Sequence, residues 1–331
     1  MKALVTGGGG FLGRAIVEAL LARGHAVTVV GRNEYPEIAA LGALVRRGDV
    51  SDRVAIQEAL RGGHDVVFHA AAKAGVWGAR ADYLGTNVVG TSNVVDACRD
   101  AGVTRLVFTS SPSVVFDGRD QVGASNDLPY PAFYESHYPA TKAEAEKLVL
   151  AANGPELATI ALRPHLVYGP RDPHLLPRVF SRARAGRLAI VGDGQNRVSV
   201  SYVENAALAH VLAAEALSPQ AACAGRAYFV NDAEPVLLWP WLNELLRRLD
   251  IAPITSRVPL GVARAGGALL EAAWCVLNLS GEPPMTRFVA AQLASSHSYS
   301  LEPARRDFGF EPPVTPAAAL DATVAWWRGR S

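Results

Sequence analysis

Three polar side chains, Ser111, Tyr138 and Lys142, have the types and spacing of a proton-transfer device. A phenol has an ordinary pKa of about 10, so Tyr138 can exchange a proton near neutral pH only if a neighbour lowers that value. Lys142 follows four residues later, one helical turn along the same face, and its ammonium would stabilise the phenolate. Ser111 would hydrogen-bond the reacting oxygen and align it. We therefore predict that these three residues are catalytic at a carbonyl or carbinol carbon.

Asn87 is a fourth catalytic candidate, inside a predicted helix. Its side chain can bond the backbone of that helix and hold a water molecule that relays protons. The alternative is a helix-interior asparagine with local bonding only. Ser110 and Ser113 flank Ser111 and can share its role.

A glycine-rich segment near the N-terminus predicts the hydride carrier. Gly7, Gly10 and Gly13 follow a predicted strand and open a predicted helix. They serve a tight turn, close approach of a pyrophosphate and close packing of helix on strand, respectively. The unpaired N–H groups at this helix start, which includes Phe11 and Leu12, bind phosphate. We therefore predict a dinucleotide cofactor, with these five residues in contact with it.

The end of the second predicted strand distinguishes two forms of that cofactor. An acidic residue there would bind the ribose 2′-hydroxyl of NAD, but the sequence has Gly31 followed by Arg32. A guanidinium can pair with a 2′-phosphate and stack on adenine, so we predict NADP(H) in preference to NAD(H). Arg14 is a second phosphate candidate. Asp49 and Val50, which end the third predicted strand, are expected at the adenine edge.

Predicted strands and helices alternate through the first half of the chain. The strands are at 3–5, 27–30, 65–72, 104–111 and 158–163, and the helices are at 11–23, 83–101 and 138–152. This alternation predicts an α/β fold of the Rossmann type, with a doubly wound parallel sheet. Ligands of such sheets bind at the carboxyl ends of the strands, where all the motifs above fall.

The regular alternation ends after residue 164, where prolines and glycines become frequent. Residues 199–216 are predicted to be a strand and a helix that return to the main sheet. We therefore predict a dinucleotide-binding domain at 1–165 plus about 198–230. A smaller, discontinuous substrate lobe would comprise about 166–197 and 231–331.

The composition excludes several functional classes. The 331 residues carry 32 Lys and Arg against 31 Asp and Glu, a net charge of +1, so no nucleic-acid partner is expected. Three distant cysteines, Cys98, Cys223 and Cys275, indicate neither disulfides nor a metal site. The first predicted strand directly follows Met1 and leaves no room for a signal peptide. A cytoplasmic location is expected.

Residues 260–279 form the most apolar stretch, interrupted by Arg264 and Glu271. These charges make a membrane-spanning helix unfavourable. They share one helical stripe, whereas Ala263, Gly267, Leu270, Trp274 and Leu277 form an opposite, apolar face. The stretch is predicted to be a helix buried in the protein or in a dimer interface. A surface that touches a membrane or a lipid-like substrate is the alternative.

The sequence resembles the extended short-chain dehydrogenase/reductases over essentially its whole length. The motifs are Thr6-Gly7-x-x-Gly10-x-x-Gly13, His69-Ala-Ala-Ala72, Asn87-x-x-Gly90-Thr91, Ser111, Tyr138-x-x-x-Lys142 and Arg163-Pro164-x-x-Val167-Tyr168-Gly169-Pro170. The resemblance implies that seven further residues contact the cofactor: Ala70, Ala71, Ala72, Pro164, His165, Val167 and Lys73. The alanines would line the cofactor, and the next three residues would flank its nicotinamide. Lys73 would reach a cofactor phosphate, unless it is only a rim lysine.

A narrower resemblance is to the 3β-hydroxysteroid dehydrogenase branch. The motifs are Thr109-Ser-Ser-Pro-Ser-Val-Val-Phe-Asp-Gly118, Leu128-Pro-Tyr-Pro131, Ala140-Thr-Lys-Ala-Glu144, Ser201-Tyr-Val-Glu-Asn205, Ala209-His210 and Gly225-Arg-Ala-Tyr-Phe229. Within this branch the chain is most similar to sterol-4α-carboxylate 3-dehydrogenases and to bacterial 2-alkyl-3-oxoalkanoate reductases of long-chain olefin biosynthesis. Both groups act on a carbon that is beta to a carboxylate and carries an apolar skeleton. The carboxylate candidates are His165, His137, Arg197 and Lys73; Trp77 and 260–279 are candidates for an apolar channel.

The resemblance implies NADPH-dependent reduction of a 2-alkyl-3-oxoalkanoic acid to the 2-alkyl-3-hydroxyalkanoic acid. A 3β-hydroxysteroid or sterol-carboxylate dehydrogenase, a nucleotide-sugar epimerase or dehydratase, and a non-catalytic cofactor-binding scaffold stay open as alternatives. The resemblance also implies a homodimer, formed through helices that include the one bearing Tyr138. An assembly with the other enzymes of the pathway is open too.

Overall fold

The computed structural model describes residues 1–330, which form fifteen strands, thirteen α-helices, one π-helical and one 3-10 segment. The strands are β1 (Lys2–Thr6), β2 (Ala26–Gly31), β3 (Leu44–Arg47), β4 (Val66–His69), β5 (Arg105–Thr109), β6 (Gln121–Ala124), β7 (Ala158–Pro164), β8 (Val167–Tyr168), β9 (Ile190–Val191), β10 (Arg197–Val198), β11 (Ser201–Tyr202), β12 (Arg226–Val230), β13 (Val236–Leu237), β14 (Arg257–Val258) and β15 (His297–Tyr299). The helices are α1 (Phe11–Ala22), α2 (Pro36–Ala39), α3 (Arg53–Leu60), α4 (Arg80–Tyr83), α5 (Gly90–Asp100), α6 (His137–Ala151), α7 (Leu175–Arg184), α8 (Val203–Ala216), α9 (Leu238–Arg248), α10 (Leu260–Val276), α11 (Arg287–Ala294), α12 (Glu302–Phe308) and α13 (Pro316–Arg328). The π-helical segment is Leu84–Val89 and the 3-10 segment is Pro112–Val115.

Seven strands form one parallel sheet in the order β12-β7-β5-β4-β1-β2-β3, which confirms the predicted fold class. The chain leaves β1 toward β2 and β3, and later returns to its other side at β4. The direction of winding therefore changes between β1 and β4. In such sheets the crevice at this switch point binds the ligand, and the structure brings the carboxyl ends of both strands there.

The sheet is buried on both faces because helices cover each side. Ala3, Leu4 and Val5 of β1 are fully buried. Helix α8 packs against α1 on one face, and α3, α5 and α6 pack together on the other. The near-continuous apolar runs of the central strands follow from this double coverage.

One part of the predicted sheet is wrong. The short strand β11 does not join the seven-stranded sheet; it pairs with β8 in a separate two-stranded ladder. Only α8 and β12 return to the main unit: α8 contacts α1 and β5, and β12 pairs with β7. Two residues of β11 are too few to reveal their pairing partner in the sequence.

A second layer holds the C-terminal part together. Its four-stranded sheet has the order β13-β10-β15-β6, and the last of these strands comes from the first half of the chain. Its hydrophobic core includes Trp239, Leu242, Leu245 and Tyr168. Strand β6 follows the 3-10 segment that begins after Ser111. The chain therefore connects this sheet directly to the segment that carries Ser111.

Helix α10 buries part of the apolar face that the sequence predicts, together with one residue of the charged stripe. The structure buries Glu271, whose carboxylate accepts hydrogen bonds from Nε and the backbone N–H of Arg287, each at 2.7 Å. Ala263 and Gly267 of the predicted apolar face are buried beside Glu271, whereas Leu277 of that face is exposed. Leu269, which lies outside that face, is 74% exposed. Among residues 1–330, no helix combines the length and the apolar character needed to cross a bilayer.

Candidate functional site

The turn from β1 into α1 forms a cradle of backbone N–H groups. Gly7 has a left-handed backbone (φ +70°), which favours glycine. A Cβ on Gly13 would lie 2.2 Å from the Gly7 carbonyl oxygen, so helix and turn meet only without a side chain there. Gly10 caps α1 without a side-chain hydrogen bond, so the N–H groups of Phe11 and Leu12 face a partner outside the helix. This geometry fits a phosphate group.

A groove continues from the cradle along the ends of β2, β3 and β4. It has a volume of about 200 Å³ and is lined by Gly7, Gly10, Val30, Gly31, Arg32, Tyr35, Gly48, Asp49, Val50, Ala70, Ala71, Ala72 and Thr86. This lining includes eight of the residues that the sequence assigned to the cofactor. The glycines and the strand ends that line the groove fit an adenosine that extends from the phosphate cradle.

The far end of the groove carries an ionised carboxylate. Asp49 accepts hydrogen bonds from the N–H and the hydroxyl of Ser51, and these bonds lower the pKa of its carboxyl, with a smaller contribution from Arg32. The Arg32 side chain is exposed, and Arg47 donates to its carbonyl oxygen at 3.1 Å. Arg14 is instead paired with Glu18 at 2.9 Å. Arg32 is thus the arginine that lines the groove.

Tyr35 is a groove residue that the sequence did not reveal. Its ring lies over the glycine-rich turn: a Cβ built on Gly9 would be 2.1 Å from the ring, and one on Gly31 2.5 Å. Tyr35 holds this position with a left-handed backbone (φ 45°) directly before α2. No periodicity indicates such a conformation. Only the two glycines facing the ring hint at it.

A directed chain of hydrogen bonds runs beneath the cradle. Its members are Ala71 N–H, Thr6 Oγ1, His69, Thr91 Oγ1 and the Asn87 carbonyl oxygen. Thr91 donates to that carbonyl at 2.6 Å, so it must accept from His69 Nε2, and His69 Nδ1 accepts from Thr6. Burial lowers the pKa of His69 to about 3, so the ring is neutral and this direction is fixed. The chain ties β1, β4 and the Asn87 helix into one rigid floor.

Asn87 lies in the π-helical segment rather than in the regular helix that the sequence predicts. Its Oδ1 accepts from the N–H of Lys73 at 2.7 Å, and its Nδ2 donates to the Lys73 carbonyl and to Thr141 Oγ1. The side chain therefore bonds the loop after β4 and helix α6, not the backbone of its own helix. Insertions of π geometry occur at functional sites, and this one turns Asn87 toward the start of α6.

Ser111 and Tyr138 meet at the carboxyl end of β5. Ser111 Oγ accepts hydrogen bonds from Ser113 Oγ at 2.9 Å and from the Ser113 N–H at 3.3 Å, so its own proton is free to point at Tyr138. Burial raises the pKa of Tyr138, and the Ser111 hydroxyl opposes that shift. Ser113 thus orients Ser111, whereas Ser110 is buried beside Glu146.

Lys142 is buried and lies near the same strand end. Its Nζ donates to the Thr109 carbonyl at 2.6 Å and lies 4.0 Å from the centre of the Phe108 ring. Burial lowers its pKa to about 7, and Glu146 partly opposes this. In this arrangement the ammonium is held by a main-chain carbonyl, and the interaction that opposes the raised pKa of Tyr138 comes from Ser111. That Lys142 lowers the pKa of Tyr138 stays a prediction.

The lower half of α6 is anchored by a buried ion pair. Arg163 donates to both carboxylate oxygens of Glu146, at 2.6 and 3.0 Å, and Tyr130 donates to the same carboxylate at 2.6 Å. These bonds hold the pKa of Glu146 below its ordinary value despite burial. The Leu-Pro-Tyr-Pro loop, to which Tyr130 belongs, is therefore part of the anchor.

Strand β7 ends beside this site. Pro164 pairs with Val230, and Val167 pairs with Ser201, so both have main-chain positions fixed by neighbouring strands. His165 lies between them, and its N–H donates to Ser201 Oγ at 3.1 Å. All three residues lie at or just after the carboxyl end of β7. That they flank the nicotinamide stays a prediction.

The structure does not gather the four carboxylate candidates at one point. Lys73 Nζ lies 3.5 Å from Asp82 at the rim, and Lys73 does not line the groove. His137 is exposed at the start of α6, near the Tyr83 ring. Arg197 is exposed on β10. Trp77, a channel candidate, is partly buried and accepts a hydrogen bond from Tyr83 at its carbonyl oxygen.

A second cavity, of about 420 Å³, lies beside the start of α6. Its lining residues are Phe116, Asp117, Gly118, Arg119, Pro131, Ala132, Phe133, Tyr134, Glu135, Pro139, Arg264 and Phe288. Helix α10 reaches this cavity with Arg264, which pairs with Glu135 at 2.5 Å, rather than with the apolar residues predicted to line a channel. Ser111 and Tyr138 are not among the lining residues, although Pro139, which directly follows Tyr138, is.

Comparison with known proteins gives one consistent assignment. The sequence matches the 3-beta hydroxysteroid dehydrogenase/isomerase family over residues 4–260. A 2-alkyl-3-oxoalkanoate reductase of Stenotrophomonas maltophilia is 49% identical over 95% of this chain and 96% of its own length. The human sterol-4-alpha-carboxylate 3-dehydrogenase, decarboxylating, is 36% identical over 99% of this chain and 88% of its own. The UDP-glucose 4-epimerase of Thermus thermophilus, solved with NAD, superposes with a TM-score of 0.75 at 27% identity and covers 100% of both chains.

Proposed function

We propose, since the chain belongs to the 3-beta hydroxysteroid dehydrogenase/isomerase family, that this oxidoreductase reduces 2-alkyl-3-oxoalkanoic acids to 2-alkyl-3-hydroxyalkanoic acids. Support for the substrate comes from the reductase that is 49% identical over nearly all of both chains. The observation that carries the chemistry is the contact of Ser111 with Tyr138 beside the groove. A product of this kind would feed hydrocarbon biosynthesis.

The proposed cofactor is NADPH, which supplies the hydride when bound in the groove. The N–H groups of Phe11 and Leu12 would hold its phosphates, and Arg32 would bind its 2′-phosphate. Tyr138 donates the proton to the ketone oxygen, and Ser111 donates a hydrogen bond that orients that oxygen. Lys142 lies at the same strand end, where its ammonium would hold the ribose and place a positive charge beside Tyr138.

The proposed preference for NADP(H) is supported by Arg32 in the lining of the groove and has its own test. Arg32→Ala should raise the Kd of NADPH about tenfold or more while leaving the Kd of NADH within about twofold. Arg61→Ala removes the same charge from a distant exposed site and serves as the control. Equal loss of affinity for both cofactors would refute the preference.

The substrate assignment is tested by the absorbance of the reduced nicotinamide. Purified protein is given NADP⁺ or NAD⁺ with a long-chain 2-alkyl-3-hydroxyalkanoic acid, because the keto acid decarboxylates readily. Reduction of NADP⁺ supports the proposal. No signal with this acid but turnover of a 3β-hydroxysteroid would move the assignment to the dehydrogenase, and silence on both would favour a nucleotide sugar.

Two associations belong to the same proposal. Exposed apolar residues on the neighbouring helices, Val89 before α5 and Leu148 on α6, support a homodimer through these helices. The outward apolar residues of α10, Val262, Leu269 and Val276, support contact with a lipid surface. Sedimentation equilibrium tests the first association. Flotation with lipid vesicles, compared between wild type and Leu269→Asp, tests the second.

A further inference from the structure

Two buried histidines, His165 and His297, form a hydrogen bond where the two layers of the protein meet. The Nε2 atom of His165 lies 2.6 Å from Nδ1 of His297, and the rings meet edge to face with centroids 4.7 Å apart. His165 follows β7 of the main sheet, whereas His297 opens β15 of the four-stranded sheet. This contact joins the end of the cofactor-binding sheet to the C-terminal lobe.

A third partner fixes the direction of this bond. His297 Nε2 lies 2.8 Å from the carbonyl oxygen of Gln292, which can only accept, so Nε2 carries a proton. Both rings are buried, which lowers the pKa of each, and the charge of one would oppose protonation of the other. A neutral ring has a single N–H proton, so Nδ1 of His297 is an acceptor. His165 must therefore donate from Nε2, and its Nδ1 carries a lone pair.

The free atom of the pair is thus Nδ1 of His165. Among residues 1–330 it has no hydrogen-bond partner, and it is not among the fully enclosed polar atoms. Its ring is fixed on the other sides by His297 and by the Tyr299 ring, whose centroid lies 5.4 Å away. Within the described part of the chain, the Nδ1 atom of His165 is therefore an unpaired hydrogen-bond acceptor at the carboxyl end of β7, beside Pro164. The neighbouring strand, β5, ends where Ser111 and Tyr138 meet.

We propose that His297 is a positioning residue that holds His165 with Nδ1 as an acceptor, so that His165 binds a neutral N–H or O–H donor of the ligands. This inference rests on the proposed function. Two groups supply that chemistry: the carboxamide of the nicotinamide, and the hydroxyl of the hydroxy acid, whose one proton can be donated to His165 only while it is not shared with Tyr138. A substrate carboxylate offers no proton and is excluded from this position, so His165 is not the carboxylate partner for which the sequence made it a candidate.

The tautomer can be read directly in the full-length protein. Long-range ¹H–¹⁵N correlation spectra of protein labelled with ¹⁵N-histidine should show His165 and His297 both protonated at Nε2 near neutral pH. His210 is the internal control, because its Nδ1 lies 2.7 Å from the Ala206 carbonyl and must carry the proton there. His165→Asn and His297→Asn assign the signals. A proton on Nδ1 of His165 would overturn the proposal, whatever the substrate proves to be.

Two substitutions at 297 separate positioning from packing. His297→Asn keeps an acceptor at the place of Nδ1, whereas His297→Phe keeps a ring against Phe116 but has no acceptor. His297→Phe should weaken ligand binding about tenfold, the value of one neutral hydrogen bond, and His297→Asn should stay within about twofold of wild type.

The ligand that responds identifies the donor. A raised Kd for NADP⁺ alone, measured by calorimetry, points to the carboxamide. An unchanged Kd with a raised KM for the hydroxy acid points to the substrate hydroxyl. Equal effects of the Asn and Phe variants, or no effect of a folded Phe variant on either ligand, would refute the positioning role. If wild type does not turn over the hydroxy acid, only the proposed function fails, since the spectra and the cofactor titration still decide the tautomer.

Discussion

Helix α6 buries two cations in opposite ways. Arg163, which reaches it from β7, donates to both oxygens of Glu146. One turn earlier, Lys142 has no carboxylate within 4 Å among residues 1–330 and relies on the Thr109 carbonyl and the Phe108 ring. The paired site keeps both charges, since the pKa of Glu146 is lowered and that of Arg163 is raised. The unpaired site has a lysine pKa of about 7.

The difference shows how one helix separates anchoring from chemistry. A buried ion pair with satisfied hydrogen bonds stays charged at any ordinary pH and so serves as a fixed support. A buried lysine without a carboxylate can change its protonation near neutral pH, which suits a group beside a proton donor. Tyr138 and Lys142 therefore lie at the end of α6 where a side chain can change its protonation state. Glu146 lies further along the helix, where the ion pair keeps its charge.

The largest expected effect is on the reacting phenol. Tyr138→Phe removes the proton donor, so turnover should fall about 10³-fold or more, within the range typical of general acids. The Kd of the cofactor should stay within about twofold, because the phosphate cradle is untouched. Tyr134→Phe is the control, since within residues 1–330 its hydroxyl donates only to the Val114 carbonyl. Near-normal initial rates of Tyr138→Phe would refute its role.

The two cations should then differ in their contributions to stability. Arg163→Met leaves the Glu146 carboxylate buried without its partner, so the free energy of unfolding should fall by about 3–5 kcal/mol. Lys142→Met removes a buried charge that has no ion pair, so the free energy of unfolding should not fall. Urea unfolding followed by tryptophan fluorescence measures both. A larger loss for Lys142→Met than for Arg163→Met would contradict the comparison.

The pH dependence of stability sharpens the same contrast. Lys142 has a pKa of about 7 when folded and an ordinary value of 10.5, so between these values the unfolded chain binds more protons than the folded one. Stability attributable to Lys142 should therefore rise as pH increases through this window, by at most about 1.4 kcal/mol per pH unit. The difference in unfolding free energy between wild type and Lys142→Met isolates this contribution. A difference that does not change with pH would show that the pKa of Lys142 is not depressed.

The sequence predicted the parts of the molecule that short patterns encode. The glycine spacing, the alternation of apolar strands and helices, and the four-residue step from Tyr138 to Lys142 each describe neighbours in the chain. The central sheet and the grouping of the groove residues accordingly appear where these patterns place them. The roles of the side chains stay predictions that the variants test.

Contacts between distant segments could not be predicted in this way. The His165–His297 bond spans 132 positions, and the Tyr35 ring reaches the groove through a single left-handed residue. The burial of Glu271 on α10 was likewise not predicted, because its partner Arg287 lies on another helix, α11. Each of these features depends on which segment packs opposite, and that information is absent from local spacing.

The smallest expected effect concerns Ser113, which orients Ser111. Ser113→Ala removes the hydroxyl that donates to Ser111 Oγ at 2.9 Å and leaves the weaker N–H bond at 3.3 Å. The proton of Ser111 then has more than one acceptable direction, so kcat should fall about threefold to tenfold, equivalent to one neutral hydrogen bond. Ser110→Ala is the matched control, because it changes the same residue type on the other side of Ser111, beside Glu146, where we expect loss of stability without loss of kcat. Failure of Ser113→Thr to restore the rate, or an equal loss of kcat in Ser110→Ala, would show that Ser113 does not orient Ser111. The end of β5 alone would then align the Ser111 hydroxyl.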